Sequence, residues 1–278
     1  MARDSGIVFR ALSWNLYHGR DAPPDPALFT WRSRLLRESE SNATHVQLNR
    51  PLLGEFAEVL GRERWDVALL QEVPPRWLEP LCRRLGASGA IALTSRNFGS
   101  VVRARLADWN PDLIASNEGG SNQLLVRPPW RIVATRRLTL ARVPERRRLL
   151  WARLEREDAA IAIANLHASA GRPAAAAREL LRAVEWAAAG AAAGPLLVGG
   201  DLNLQPAAEP ELFEELRRRF GLAPPTAPGA IDHLLVRGFE VIEPPRQLRA
   251  EQRELDAGAG LRLRLADHAP VVGSFAVK

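Results

Sequence analysis

One cysteine, Cys82, and one lysine, Lys278, among 278 residues remove several explanations at once. A lone cysteine closes no disulfide within the chain and builds no cysteine-based zinc site, so a reducing compartment, the cytoplasm, is expected. With lysine nearly absent, the formal charge of +6 and the sequence pI near 10.8 are carried by arginine. Arginine clusters neutralise phosphates, which invites a nucleic-acid partner. The alanine tracts at 174–177 and 187–194 suggest instead a GC-rich coding bias, so the basic balance carries little weight alone. Long apolar runs are missing too. The longest uncharged run, Trp186 to Gly200, is short for a membrane span and dominated by Ala and Gly. The opening MARDSGIVFRALSWNLYHGRD is broken by Arg10, Ser13 and Asn15, with no small-residue cleavage site. Neither a leader nor an anchor is expected, no obligate protein partner is evident, and the chain should be soluble.

What is present suffices for a large core: 46% hydrophobic residues and eight tryptophans. IVFRALSWN, WDVALLQEV, SNQLLVR, RIVATRRLTL, RLLWARLER, AAIAIANLH, PLLVGGDLN, AIDHLLVRG and PVVGSFAV are short, rich in Val, Ile and Leu, and predict strands. Helical spacing marks RPLLGEFAEVLGRERW, PAAAARELLRAVEWAAAG and ELFEELRRRFG. This alternation predicts an α/β (α+β) layered sandwich. No linker composition interrupts residues 1–278, so a single domain is expected. Residues 17–50 mix a Pro-rich turn with a short helix, and Ser95 to Gly120 surrounds an expected central strand or hairpin; loops of such length are often functional.

The segment VGGDLNLQP, Val198 to Pro206, ends an apolar strand abruptly in Gly-Gly-Asp and places Asn203 two residues beyond Asp201. A carboxylate and a carboxamide at a strand end suit a metal, a water or a phosphate, and equally suit a turn. Other strands end alike: Asn15 in LSWN, Glu72 in LLQEV, Asn165 and His167 in NLH, Asp232 and His233 in IDH, Asp267 and His268 in ADHAP. One such end is ordinary capping; six are harder to explain that way.

Taken in order, LSWN, QE, NLH, GDLN, ID and DHAP resemble the endonuclease/exonuclease/phosphatase superfamily, the DNase I-like metal-dependent phosphohydrolases, over nearly the whole chain. The resemblance implies a four-layer fold, two facing mixed sheets flanked by helices. It also implies phosphoester hydrolysis with a divalent cation, usually Mg2+, with Mn2+ as the alternative. Glu72 would be the principal metal ligand, since Mg2+ takes hard oxygen donors and few carboxylates. Asn15 would contact the ion or orient Glu72, and Asp267 would serve a second cation or support the first. Asp201 would align and deprotonate the water, and Asn203 would hold a non-bridging oxygen. His268 would face the phosphate, protonated if Asp232 accepts its other N–H. His167 would assist the leaving group; Asn165 and Asn122 are substrate-side candidates. Alternation along the strand turns His233 away from a site that Asp232 enters. His18 and His45 match no motif and are expected to be solvated or structural.

PGAIDHLLV offers Gly and Ala where abasic-site endonucleases carry an aromatic and Arg. NLHAS, with His rather than Tyr, is closer to the DNase I, sphingomyelinase and phosphoinositide phosphatase branches. A phosphodiesterase or nuclease is the leading expectation. A phosphatase or phosphodiesterase of a lipid, inositol or other small phosphoester stays open, as does a catalytically inactive phosphate-binding module.

Overall fold

Two sheets face each other, and each is built around a pair of parallel strands. The computed structural model describes residues 7–95, 100–114, 117, 119–157 and 159–277. In the first sheet β1 (Val8–Asn15) runs parallel to β4 (Val67–Gln71), with β15 (Val271–Val277) and β12 (Phe239–Gln247) on one side and β6 (Gly120–Val126) and β5 (Ser88–Thr94) on the other, all antiparallel to their neighbours. In the second, β9 (Ala159–His167) runs parallel to β10 (Leu196–Asp201). It is flanked by β11 (Asp232–Arg237) and by β8 (Arg147–Arg156) and β7 (Arg131–Ala141).

Three apolar layers hold the stack. Between the sheets lie Phe9, Leu69, Leu124, Leu150, Ile163 and Leu197, among others. Behind the first sheet, α2 (Leu53–Arg62) and α3 (Leu78–Leu85) bury Phe56, Leu60 and Leu81 against Leu12, Trp14 and Leu70. Behind the second, α6 (Pro173–Ala191) and α7 (Pro210–Phe220) bury Leu180, Val184 and Leu216 against Ala164, Leu166 and Val198. The result is a four-layer helix–sheet–sheet–helix sandwich. Each of the Val, Leu, Ile and Phe side chains among them exchanges water for apolar contact at roughly 1.5–3 kcal/mol.

Every strand and the three helices read from the sequence are present, the strands, α6 and α7 within a residue or two of their expected ends and α2 three residues shorter at each end. Within residues 17–50, α1 (Trp31–Leu36) is the expected short helix, and Thr30 Oγ1 caps it by accepting from the Arg32 and Ser33 amides. The two short strands Glu40–Ser41 and Val46–Gln47 follow it. The strand or hairpin expected within 95–120 is instead helical: α4 (Ser100–Trp109) and α5 (Pro111–Ile114). Val101 and Val102 favour strands, but the following RARLAD run favours helix, and the buried Ala107 anchors it. Strands β5 and β12 carried weak sequence signals; β12 contains Pro244 and Pro245 and is tolerated because it is an edge strand.

Candidate active site

Alternation decides which side chains meet at one edge of the sandwich. Phe9 and Ala11 of β1, Val67 and Leu69 of β4, Ile161 and Ile163 of β9, Leu197 of β10 and Leu234 and Val236 of β11 all fill the space between the sheets. Continued at a period of two, these rows end in Asn15, Gln71, His167, Asp201 and Asp232. Because β1 and β4 are parallel and β9 and β10 are parallel, their C-terminal ends share that edge. Register then sets Asp201 opposite His167 on one side and opposite Asp232 on the other.

The glycines preceding Asp201 are what this convergence requires. A Cβ on Gly199 would lie 2.8 Å from the His233 carbonyl oxygen and 3.1 Å from Leu69 of the facing sheet. Gly200, at φ +131, would place a Cβ 1.9 Å from the Leu166 carbonyl oxygen. No other residue fits there.

Glu72 follows Gln71, so alternation alone would turn it away. Its left-handed φ of +51 brings it back. Glu72 Oε2 lies 3.3 Å from His18 Nε2, and Oε1 lies 3.8 Å from His167 Nδ1. Asn15 Nδ2 donates to Asp201 Oδ2 at 3.0 Å, and its Oδ1 accepts from the Tyr17 amide. The Asn203 amide donates to Asp201 Oδ1 at 3.1 Å, while its side-chain amide donates to the Ala168 carbonyl. His268 Nδ1 is 2.7 Å from Asp232 Oδ2, and Nε2 is 3.7 Å from Asp201 Oδ2. The loop carrying His268 is pinned through its own carbonyl, which accepts from Trp14 Nε1 and from Arg253. Asp267, half exposed, approaches His268 Nε2 at 4.0 Å.

These contacts set the charges. Burial would lower the His268 pKa, but the Asp232 hydrogen bond and the charges of Asp232, Asp201 and Asp267 outweigh it and raise it to about 10. His268 is therefore an imidazolium. Burial and the neighbouring Asp232 raise Asp201 to about 7, against the pull of His268 and the Asn15 and Asn203 hydrogen bonds. Burial and Asp267 likewise raise Glu72 to about 7. Burial, Arg147 and His268 hold His167 neutral, its pKa well below the ordinary value. Arg147 Nη1 lies 3.0 Å from His167 Nδ1; a guanidinium only donates, so Nδ1 accepts and the ring proton sits on Nε2. That N–H faces Asp201 Oδ2 at 3.4 Å.

Two asparagines lie apart from this group. Asn165 is fully buried and joins the sheets: its amide donates to the Leu70 and Gln123 carbonyls at 3.0 and 2.8 Å, and its Oδ1 accepts from Gln71 at 2.8 Å. All its principal hydrogen bonds are spent on protein, so it supports the floor of the site instead of meeting a substrate. Asn122 donates to the Arg148 carbonyl at 2.7 Å and leaves a buried Oδ1 unpaired. His233 turns away as alternation requires, its ring against Phe213 and its Nε2 at the Leu204 carbonyl. His45 pairs with Glu254.

Four residues that shape the site carry no signal in the sequence. His18 and Tyr17 both adopt left-handed φ, +55 and +49, and that turn carries His18 to Glu72. Arg147 is one of three consecutive arginines, and only the fold selects it. Arg20, ion-paired with Asp112, adds positive field on Glu72 and His18.

The residues fit a divalent cation. Ligand atoms of Asp201, Asp232 and His268 lie within 4.8 Å of one another, but there the imidazolium already supplies positive charge, although Asp232 Oδ1 is buried and unpaired. Glu72 could hold one: it is partly exposed, and burial and Asp267 raise its pKa, an effect that a cation would offset.

Such a fold, with carboxylates, carboxamides and a clamped imidazolium at one sheet edge, defines the class of α/β-sandwich phosphoester hydrolases. The endonuclease/exonuclease/phosphatase family model matches residues 12–268, and the chain belongs to that family. Among solved structures, a family protein from Bacteroides thetaiotaomicron superposes with a TM-score of 0.65 at 15% identity, covering 98% of this chain and 99% of that one. A mannosyl-6-phosphatase from the same organism gives 0.64 at 15% identity, covering 96% and 99%. The catalytic domain of human Nocturnin with bound sulfate gives 0.59 at 17%, covering 98% and 94%. At such identities the likeness is one of fold. No curated protein matches the chain.

Proposed function

We propose that the protein is a divalent-metal-dependent phosphoester hydrolase that attacks phosphorus with one water, in its leading form a phosphodiesterase acting on nucleic acid. The observation that carries this reading is the line Asp232–His268–Asp201, with separations of 2.7 and 3.7 Å. It sets a partly buried imidazolium beside a carboxylate whose pKa of about 7 suits a base working near neutrality.

Asp201 is held on both oxygens, by Asn15 and by the Asn203 amide, so it takes the proton of the attacking water in a fixed direction. His268 keeps its proton and stabilises the charge gathering on the phosphoryl oxygens. Asn203 and the neutral Nε2–H of His167 add donors without net charge. Glu72, with Asp267 near it, would hold Mg2+ or Mn2+, which would neutralise phosphoryl and leaving oxygens when bound.

A small phosphoester is the second reading. A cavity of about 390 Å³ is lined by Pro144, Glu145, Arg147, Ser169, Ala170 and Arg172, Arg147 being the residue against His167, and its size suits small molecules. The metal-loaded protein is to be incubated with duplex DNA, single strands, RNA, phospholipids and sugar phosphates, beside Asp201→Asn. Turnover of a polynucleotide is expected. Turnover of sugar phosphates alone selects the second reading, and phosphate binding without any turnover above Asp201→Asn leaves an inactive binding module.

A further inference from the structure

We propose that His18 is a ligand of the cation that Glu72 holds, making the site a mixed nitrogen–oxygen centre selective for a first-row transition-metal ion over Mg2+. This rests on the reading that a divalent cation binds at Glu72.

The geometry leads there first. His18 Nε2 and Glu72 Oε2 are 3.3 Å apart, with the histidine side chain 7% exposed and the carboxylate 24%. Two donors each about 2.1 Å from one ion lie roughly 3.0 Å apart at a right angle and about 3.4 Å apart at the tetrahedral angle. The observed gap falls between those values. Both residues also adopt left-handed backbone, at φ +55 and +51, a conformation that costs free energy and persists where surroundings impose it. The chain bends twice to set these two groups face to face.

The surroundings of the ring agree. Nδ1 is buried without a hydrogen-bond partner, while Nε2 is the nitrogen that faces Glu72 and the one placed to meet a cation held there. The site's other imidazole is not available: His167 has one nitrogen against Arg147 and the other against Asp201. An imidazole donor favours transition-metal ions, whereas an all-oxygen site suits Mg2+.

The test is electron spin-echo modulation of the full-length protein loaded with Mn2+, prepared with natural histidine and with 15N-histidine. A directly bound 14N coupling that becomes 15N on labelling is expected in the parent and absent in His18→Asn, Asn being a residue that tolerates left-handed backbone. In titrations, His18→Asn should weaken Mn2+ binding about tenfold and Mg2+ binding less than about threefold, the imidazole being the donor that distinguishes them. Mn2+ that binds, and is weakened by Glu72→Gln, yet shows no histidine coupling overturns the proposal and leaves the hydrolase reading intact. Coupling that survives in His18→Asn also overturns it. If the parent binds neither Mn2+ nor Mg2+, the metal-dependent reading itself fails with it.

Discussion

At the scale of single residues, neighbouring side chains are assigned opposite charge states by their surroundings. His268 carries a proton because three carboxylates face it, while His167 does not because it is buried and Arg147 occupies its Nδ1. Substitution should separate these roles. Glu72→Gln keeps the shape but removes a negative ligand, so Mg2+ affinity should fall and excess metal should recover part of the rate. Asp201→Asn removes the base and His268→Ala removes the cation; each should lose on the order of a hundredfold to ten-thousandfold in kcat, with no rescue by metal. Parent-like turnover in both, with unchanged Mg2+ binding in Glu72→Gln, would assign the machinery elsewhere. The His268–Asp232 pair also links to stability. Its folded pKa of about 10 exceeds the unfolded value near 6.5, so its stabilisation is complete below about 6.5 and is lost as pH rises through about 10. Urea midpoints measured from pH 7 to 10.5 should fall more steeply for the parent than for His268→Gln. Parallel curves would contradict the assigned charge.

At the scale of elements, β10 of the second sheet is the part least able to change. Gly200 combines φ +131 with a Cβ path blocked at 1.9 Å by the Leu166 carbonyl, the oxygen of its parallel partner strand. Gly200→Ala should therefore destabilise by about 2 kcal/mol or more, read as a lower urea midpoint, and should disturb Asp201 directly. A midpoint equal to the parent's would mean that the strand relaxes freely, against the register that holds Asp201 between His167 and Asp232. The floor beneath the site is equally specific. Gln71 and Asn165 replace the apolar residues that fill the sandwich below, and they tie the two sheets together: Gln71 Nε2 donates to Asn165 Oδ1 at 2.8 Å, and Asn165 Nδ2 donates to the Leu70 and Gln123 main-chain carbonyls at 3.0 and 2.8 Å.

At the scale of the whole molecule, the first sheet contains strands from both ends of the chain: β1 lies between β15 and β4. Asn15 and His268 meet around one carboxylate although 253 positions separate them. One cooperative unit is therefore expected, with limited proteolysis nicking loops only; a stable fragment ending near residue 150 would contradict it. Arginine is the other whole-molecule question. Arg103 and Arg105 lie on α4, and Arg96 lies outside the described residues. If these arginines line a polynucleotide groove, DNA binding in Ca2+ should fall steeply with salt. A flat dependence, measured by fluorescence anisotropy, would shift the substrate toward the small phosphoesters. No helix among the described residues is long and apolar enough to cross a membrane.

The sequence by itself determined the strands and the residues at their ends, because alternation and the Val, Ile and Leu runs are local signals that need no partner. From them follow the inward parity of Asn15, His167, Asp201 and Asp232 and the exclusion of His233, whereas Glu72 and His268 join that group in the sequence only through the resemblance to the family. Tertiary structure decided what depends on distance across the chain or on backbone that leaves the common regions. Asn165 shares the parity of His167, yet lies one strand step deeper, where the facing sheet closes over it; no local pattern reports depth. His18 reaches Glu72 only through consecutive left-handed residues, Tyr17 and His18, which composition does not announce. Among Arg146, Arg147 and Arg148, only the packing of β8 against β9 selects the guanidinium that fixes the tautomer of His167. Charge states came last, since a pKa is set by burial and by neighbours that the fold alone brings within a few ångströms.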